Sequence, residues 1–122
     1  FTIEPLNNGD FPGYFLDDYN LAVDILDEVG RDNVTLQFDA YHAQLIHGDA
    51  LKVWEAFGDR ATHVQFAAAP SRCEPGNGPL DFDALFAAID DSGYQGWVSA
   101  EYTPSTPRTE DSLRWMRALQ AA

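Results

Sequence analysis

The 122-residue chain is poor in cysteine, in basic residues and in long apolar runs, and each shortage removes a class of function. Its single cysteine, Cys73, excludes an internal disulfide and leaves too few thiolates for a cysteine-based zinc site, which suits a reducing cytoplasm. Seven Lys and Arg stand against twenty Asp and Glu, a net charge of −13 that repels phosphate backbones and anionic membranes, so nucleic acid is not an expected partner. No apolar stretch approaches the roughly 20 residues that a membrane span needs. Gly76-Asn77-Gly78 lacks the Lys and Ser/Thr of a phosphate-binding loop and reads as a turn.

What the chain does have is alternation. A short apolar run, a polar loop and a helix-like segment recur four times, the pattern of parallel α/β structure. The strand-like runs are Phe1 to Pro5, Val34 to Asp39, Thr62 to Phe66 and Gly96 to Glu101. Asp17 or Asp18 can cap a first helix ending at about Val29, with Gly30 as its stop. Tyr41, His42 and Gln44 fall in a loop after the second run, and a helix covering Ala50 to Phe57 begins near Asp49. A long loop from Ala67 to Gly78 precedes a helix from Phe82 to Asp90, capped by Asp81 and closed by Gly93. A last helix starts at about Thr109. The three tryptophans, Trp54, Trp97 and Trp115, are expected to pack helices against the sheet.

No linker or charge block divides residues 1–122, which read as a single domain. Strand–helix units of this size, eight in a ring, make a (β/α)₈ barrel, so four make half of one. A four-stranded parallel sheet bent for a barrel exposes two edges. The expectation is therefore a missing N-terminal half barrel, or another chain, to cover them; the abrupt strand start at Phe1 favours a fragment.

Each run ends in a polar side chain: Glu4, Asp39, Gln65 and Glu101. In a parallel barrel the strand ends share one face, so four oxygen-bearing groups far apart in sequence can converge. Singly, each is no more than a solvated start to a loop; the recurrence on all four strands is the signal. Three carboxylates and an amide oxygen suit a hard divalent cation, Mg²⁺ or Mn²⁺, which would also relieve repulsion among the carboxylates. His42, three residues beyond Asp39, can stand beside such a site and donate to a substrate oxygen, or be a surface histidine. His63, two residues before Gln65, points the same way one layer deeper and reads as a core histidine, while His47 reads as exposed. Arg72 on the third loop is the local cation that an anionic substrate needs in so acidic a chain, or half of a surface pair with Glu74. Cys73 has no evident base partner and reads as incidental.

The segments Ile3-Glu4-Pro5-Leu6-Asn7, Asp10 to Leu16, Gln37 to His42, His63 to Ala67, Arg72-Cys73-Glu74-Pro75 and Gly93-Tyr94-Gln95-Gly96-Trp97 through Glu101-Tyr102 resemble the hydroxypyruvate isomerase family, within the xylose isomerase-like sugar isomerases and epimerases. The resemblance runs in register along the whole chain and covers what would be strands five to eight of that barrel. It implies Glu4 and Glu101 as the acid/base pair, Glu4, Asp39, Gln65 and Glu101 as metal ligands, and His42, Arg72 and Glu74 as substrate-facing residues. Pro79 departs from the family pattern, where Glu is usual after the loop glycine, and Cys73 stands where other residues are common, so the third loop and substrate choice are the parts least carried over.

The implied reaction is aldose–ketose interconversion through a metal-held enediolate, hydroxypyruvate to tartronate semialdehyde or a related small oxo acid or sugar. Three readings compete. Ketose 3-epimerisation uses the same constellation on a larger polyol. A metal-dependent phosphodiesterase or abasic-site endonuclease shares the barrel type, but three histidines and a charge of −13 speak against it. A half barrel without catalysis, acting as an assembly module, is the third.

Overall fold

The computed structural model describes residues 1–76 and 78–120. Four strands, β1 (Thr2–Ile3), β2 (Thr35–Asp39), β3 (Ala61–Phe66) and β4 (Trp97–Ala100), form one sheet in the order β1-β2-β3-β4, each pair parallel. Between them run α1 (Tyr19–Val29), α2 (Ala40–His47), α3 (Ala50–Phe57) and α4 (Phe82–Asp91). A 3₁₀ turn over Thr109–Leu113 leads into α5 (Arg114–Gln120). Four consecutive β/α units in one parallel sheet are the expected half of a (β/α)₈ barrel.

The helix ends follow local chemistry. Asp18, Asp49 and Asp81 cap α1, α3 and α4 by accepting from the backbone N–H of Leu21, Lys52 and Ala84. Gly30 ends α1 in the left-handed conformation (φ 55°), which a residue lacking Cβ adopts without cost, and its N–H donates to the Leu26 carbonyl.

Side chains on a strand alternate between faces, and the two faces of this sheet differ in kind. Leu36, Phe38, Val64 and Phe66 face the helices and are fully or almost fully buried. Phe38 meets Tyr19 of α1 and Trp54 of α3; Phe66 meets Phe82 and Phe86 of α4 and Trp115 of α5. Burying such side chains stabilises by about 1.5–3 kcal/mol each. The other, concave face carries Gln37 and Asp39 on β2, His63 and Gln65 on β3, and Trp97 and Ser99 on β4, in register as Gln37–His63–Trp97 and Asp39–Gln65–Ser99.

Two expectations need correcting. The stretch after β2 is not a loop: α2 starts at Ala40, because Asp39 is itself the N-cap, its Oδ1 accepting from Tyr41 N–H at 2.8 Å. His47 is the last residue of that helix and packs edge-on against Tyr19. Trp97 does not pack helices on the sheet. It stands with His63 on the concave face of the edge strand, 81% exposed, whereas Trp54 and Trp115 do pack as expected.

Candidate active site

The carboxyl ends of the strands bring polar groups from four places to the concave face. Asp39 is the most enclosed, 1% exposed, and held from both directions. Its backbone N–H donates to the Tyr19 hydroxyl, which donates to the Asp39 carbonyl, both at 3.1 Å, so α1 pins the end of β2. Glu4 lies just past β1; its Oε2 accepts from Gln37 Nε2 at 2.7 Å. The same Nε2 donates to Gln65 Oε1, and the Thr2 hydroxyl donates to Gln37 Oε1 at 3.1 Å. Glu101, one residue beyond β4, extends the pairing through its N–H to the Phe66 carbonyl (3.0 Å), and its carboxylate accepts from Arg72 Nη2 at 3.3 Å.

Burial and like charge act together here. Burial, then the negative charges of Asp39 and Glu101, push the Glu4 carboxyl up to about 7. Burial, with Glu101 adding to it, pushes Asp39 up to about 6. One ligating atom each of Glu4, Asp39 and His42 lies within 4.8 Å of the others.

Proximity alone would make His42 a metal ligand, but its hydrogen bonds say otherwise. The backbone N–H of Asn7 donates to His42 Nδ1 at 3.1 Å, and the Asn7 amide nitrogen lies 2.9 Å from the same atom. A nitrogen that accepts carries no proton, so the neutral ring bears its hydrogen on Nε2 and that nitrogen is a donor. Burial, and then Arg72, lower the ring to about 4, which keeps it neutral near pH 7. The donor set fit for a cation is therefore carboxylate oxygen from Glu4 and Asp39, with the Gln65 amide oxygen tied to Glu4 through Gln37. These oxygen ligands are of the type that holds a hard divalent cation. Glu101 lies outside the 4.8 Å group but is near enough for its charge to act on both buried carboxyls.

Arg72 is the cation of the site. It sits between Asp10 Oδ2 (3.5 Å) and Glu101 Oε2 (3.3 Å), with its guanidinium 4.8 Å from the centre of the Tyr41 ring. Its backbone is left-handed (φ 54°), a strained conformation for a residue with a Cβ, held by Arg72 N–H to the Ala68 carbonyl and Thr103 N–H to the Arg72 carbonyl. Asp10 collects the Asn7 amide (3.0 Å), the Tyr41 hydroxyl (2.8 Å) and Arg72; the first two bonds are the main reason its pKa falls. Glu74, a residue the family resemblance implies as substrate-facing, accepts from the backbone N–H and hydroxyl of Ser105 in the loop after β4, which lowers its pKa.

Sequence reasoning named Glu4, Asp39, His42, Gln65, Arg72 and Glu101 but missed Gln37, Asn7, Asp10 and Tyr19. For Gln37 a signal was present, since a residue two before Asp39 shares its face. No helix among the described residues is long and apolar enough to cross a membrane.

Comparison with known proteins agrees with this architecture. Residues 1–119 match the family model of the xylose isomerase-like TIM barrel. The hydroxypyruvate isomerase of Escherichia coli is 42% identical over 114 residues, covering 93% of this chain and 44% of that protein. The 2-oxo-tetronate isomerase of Cupriavidus necator is 39% identical over 115 residues, with 94% and 44% covered. Among solved structures, a Brucella melitensis protein described as an AP endonuclease of family 2 superposes with a TM-score of 0.91 at 40% identity, covering 96% of this chain and 45% of that one. A 3-keto-D-glucoside 4-epimerase from E. coli superposes at 0.80 and 28% identity, with 94% and 44% covered. The chain thus spans a little under half the length of the relatives it matches. With four parallel β/α units and a polar cluster at their carboxyl ends, it belongs to the xylose isomerase-like TIM barrel family.

Proposed function

We propose that this chain supplies the catalytic face of an aldose–ketose isomerase acting on hydroxypyruvate, or on a closely related small oxo acid or sugar, with a second half barrel completing the cavity. The observation that carries the reading is the convergence of Glu4 and Asp39 with His42 inside 4.8 Å, joined to Gln65 by one amide and flanked by the Arg72–Glu101 pair. A divalent cation at the oxygen cluster of Glu4, Asp39, Gln65 and Glu101 would draw electron density from the carbonyl and hydroxyl oxygens of a bound substrate and so acidify the C–H between them.

Glu4 and Glu101 are the proton carriers. One removes the hydrogen from the hydroxyl-bearing carbon, the substrate becomes an enediolate, and the same or the other carboxylate returns a proton to the former carbonyl carbon. The hydroxyl proton ends on the former carbonyl oxygen, so the product is an isomer and no redox partner is consumed. A carboxylate placed beside the substrate carbon can take that proton and return it. His42, its Nε2–H fixed as donor by Asn7, steadies a substrate oxygen. Arg72 offers two N–H groups to a substrate carboxylate, which the net charge of −13 would otherwise repel.

Glu4→Gln and Glu101→Gln in the full-length protein should each lower turnover by about 10²–10⁴-fold. Normal turnover in both variants sinks the assignment. A ketose epimerase reading is supported by the structural likeness to the 3-keto-D-glucoside 4-epimerase, and product analysis on a panel of oxo acids and ketoses separates it from isomerisation. An endonuclease reading, suggested by the shared barrel type and by the description of the Brucella protein, is opposed by a chain with seven basic and twenty acidic residues.

A further inference from the structure

Gln37 makes three side-chain hydrogen bonds on the concave face of β2, and two of them go to residues read above as cation ligands. Because β2 lies between β1 and β3, a side chain on its concave face reaches both neighbours, each about 4.8 Å away. A primary amide has two N–H donors, and Gln37 gives one to Glu4 Oε2 and one to Gln65 Oε1. Its own oxygen accepts from Thr2, which fixes the amide the right way round; reversed, Gln37 Oε1 would face the Glu4 carboxylate and a second amide oxygen.

The consequence falls on Gln65. An amide presents oxygen or NH₂ depending on a rotation of its last bond, and only the oxygen can approach a cation. The bond from Gln37 holds Gln65 with its oxygen turned toward the Gln37 amide nitrogen, which also binds Glu4, and leaves that oxygen a second lone pair. The same N–H pair steadies Glu4 through Oε2 and leaves Oε1 uncommitted. An uncharged donor does this without adding to or cancelling the charge that attracts the cation.

We infer that Gln37 is a positioning residue that aligns the oxygens of Glu4 and Gln65 for a divalent cation; this rests on the reading of those two residues as ligands. The test is Mn²⁺ binding to the full-length protein by titration calorimetry and electron paramagnetic resonance, with urea unfolding of the metal-free protein alongside. Gln37→Met, similar in volume but without donors, should raise the Mn²⁺ dissociation constant about 10- to 100-fold, the usual reach of a residue behind a ligand, without lowering metal-free stability. If Gln37 acts through Gln65, the Gln37→Met/Gln65→Met double variant loses less than the sum of the two single losses. Gln37→Asn, which keeps an amide too short to span both partners, should also weaken binding and serves if the methionine variant does not fold. Unchanged Mn²⁺ affinity in the Gln37 variants, while Glu4→Gln weakens it, overturns this inference and leaves the ligand reading standing. Unchanged affinity in Glu4→Gln and Gln65→Met overturns the ligand reading and the inference with it.

Discussion

Glu4 and Glu101 occupy equivalent places, each just past the end of a parallel strand, yet their surroundings differ. Glu4 sits among Asp39, Gln37 and Gln65 and is raised to about 7, chiefly by burial. Glu101 follows β4; its side chain is 51% exposed and tied to Arg72. Neighbouring side chains, not place in the sheet, explain the contrast. β1 and β4 are both edges of the sheet, but Glu4 is packed beside Gln37 and Asp39 of β2, whereas the Glu101 carboxylate meets Arg72 from the loop after β3. The same residue type therefore becomes a desolvated group with a near-neutral pKa in one place and a half-exposed ion-pair partner in the other.

The largest effect expected is on the helix-covered side of the sheet. Phe38→Ala removes a fully buried ring in contact with Tyr19 and Trp54, and should cost about 3–5 kcal/mol in urea unfolding. A cost below 1 kcal/mol would mean that this side is no better packed than the edge. Arg72→Lys sharpens the contrast at the junction. Lysine keeps the charge but cannot bridge Asp10 and Glu101 or lie over Tyr41, so the KM for an anionic substrate should rise about 10- to 100-fold, the value of about 1.5–3 kcal/mol for a charged hydrogen bond.

Acidity tests the enclosure of Glu4 directly. Because Glu4 and Asp39 hold their protons more tightly folded than unfolded, their contribution to metal-free stability is fully present below about pH 4 and is lost as pH rises through about 6 to 7. His42, lowered to about 4, works in the opposite sense and loses stability as pH falls from 6.5 toward 4. Glu4→Gln should flatten the alkaline fall in thermal midpoint between pH 5 and 8, and Mn²⁺ should flatten it in the parent protein. An unchanged slope in Glu4→Gln would show that Glu4 is not desolvated. The smallest effect is expected at the edge: Trp97→Ser in the 122-residue chain should shift stability by less than about 0.5 kcal/mol, because the ring is 81% exposed. In a longer chain the same substitution should cost several times more, since a concave face closed by further strands would bury that ring.

Much of the frame was legible because it is written in local chemistry. Asp18, Asp49 and Asp81 stand where a side-chain oxygen can meet the first free N–H groups of a helix, and each caps one. The β-branched and apolar runs at Val34 and Thr62 became β2 and β3 within a residue. The start of α2 was not legible, because Asp39 read as a strand-end carboxylate and nothing in the sequence says that the same group also caps a helix. Trp97 misled because the periodicity that places it on one face does not say which face is roofed. The chain of contacts from Asn7 to His42 and from Asp10 to Tyr41 and Arg72 joins residues up to 62 positions apart, a distance that no spacing rule spans. Candidate ligands are thus visible as residue types at strand ends, while the groups that orient them appear only in three dimensions.

Asp39 serves two masters. One oxygen of its carboxylate caps the first turn of α2, which leaves the other as the oxygen best placed to serve a ligand on the concave face. Any pull on that free oxygen is transmitted to the Tyr41 amide, whose ring lies under Arg72 and whose hydroxyl grips Asp10. Tyr41 thus joins the Asp39 cap, Asp10 and the Arg72 guanidinium in one side chain, so a substitution at Tyr41 disturbs all three contacts together.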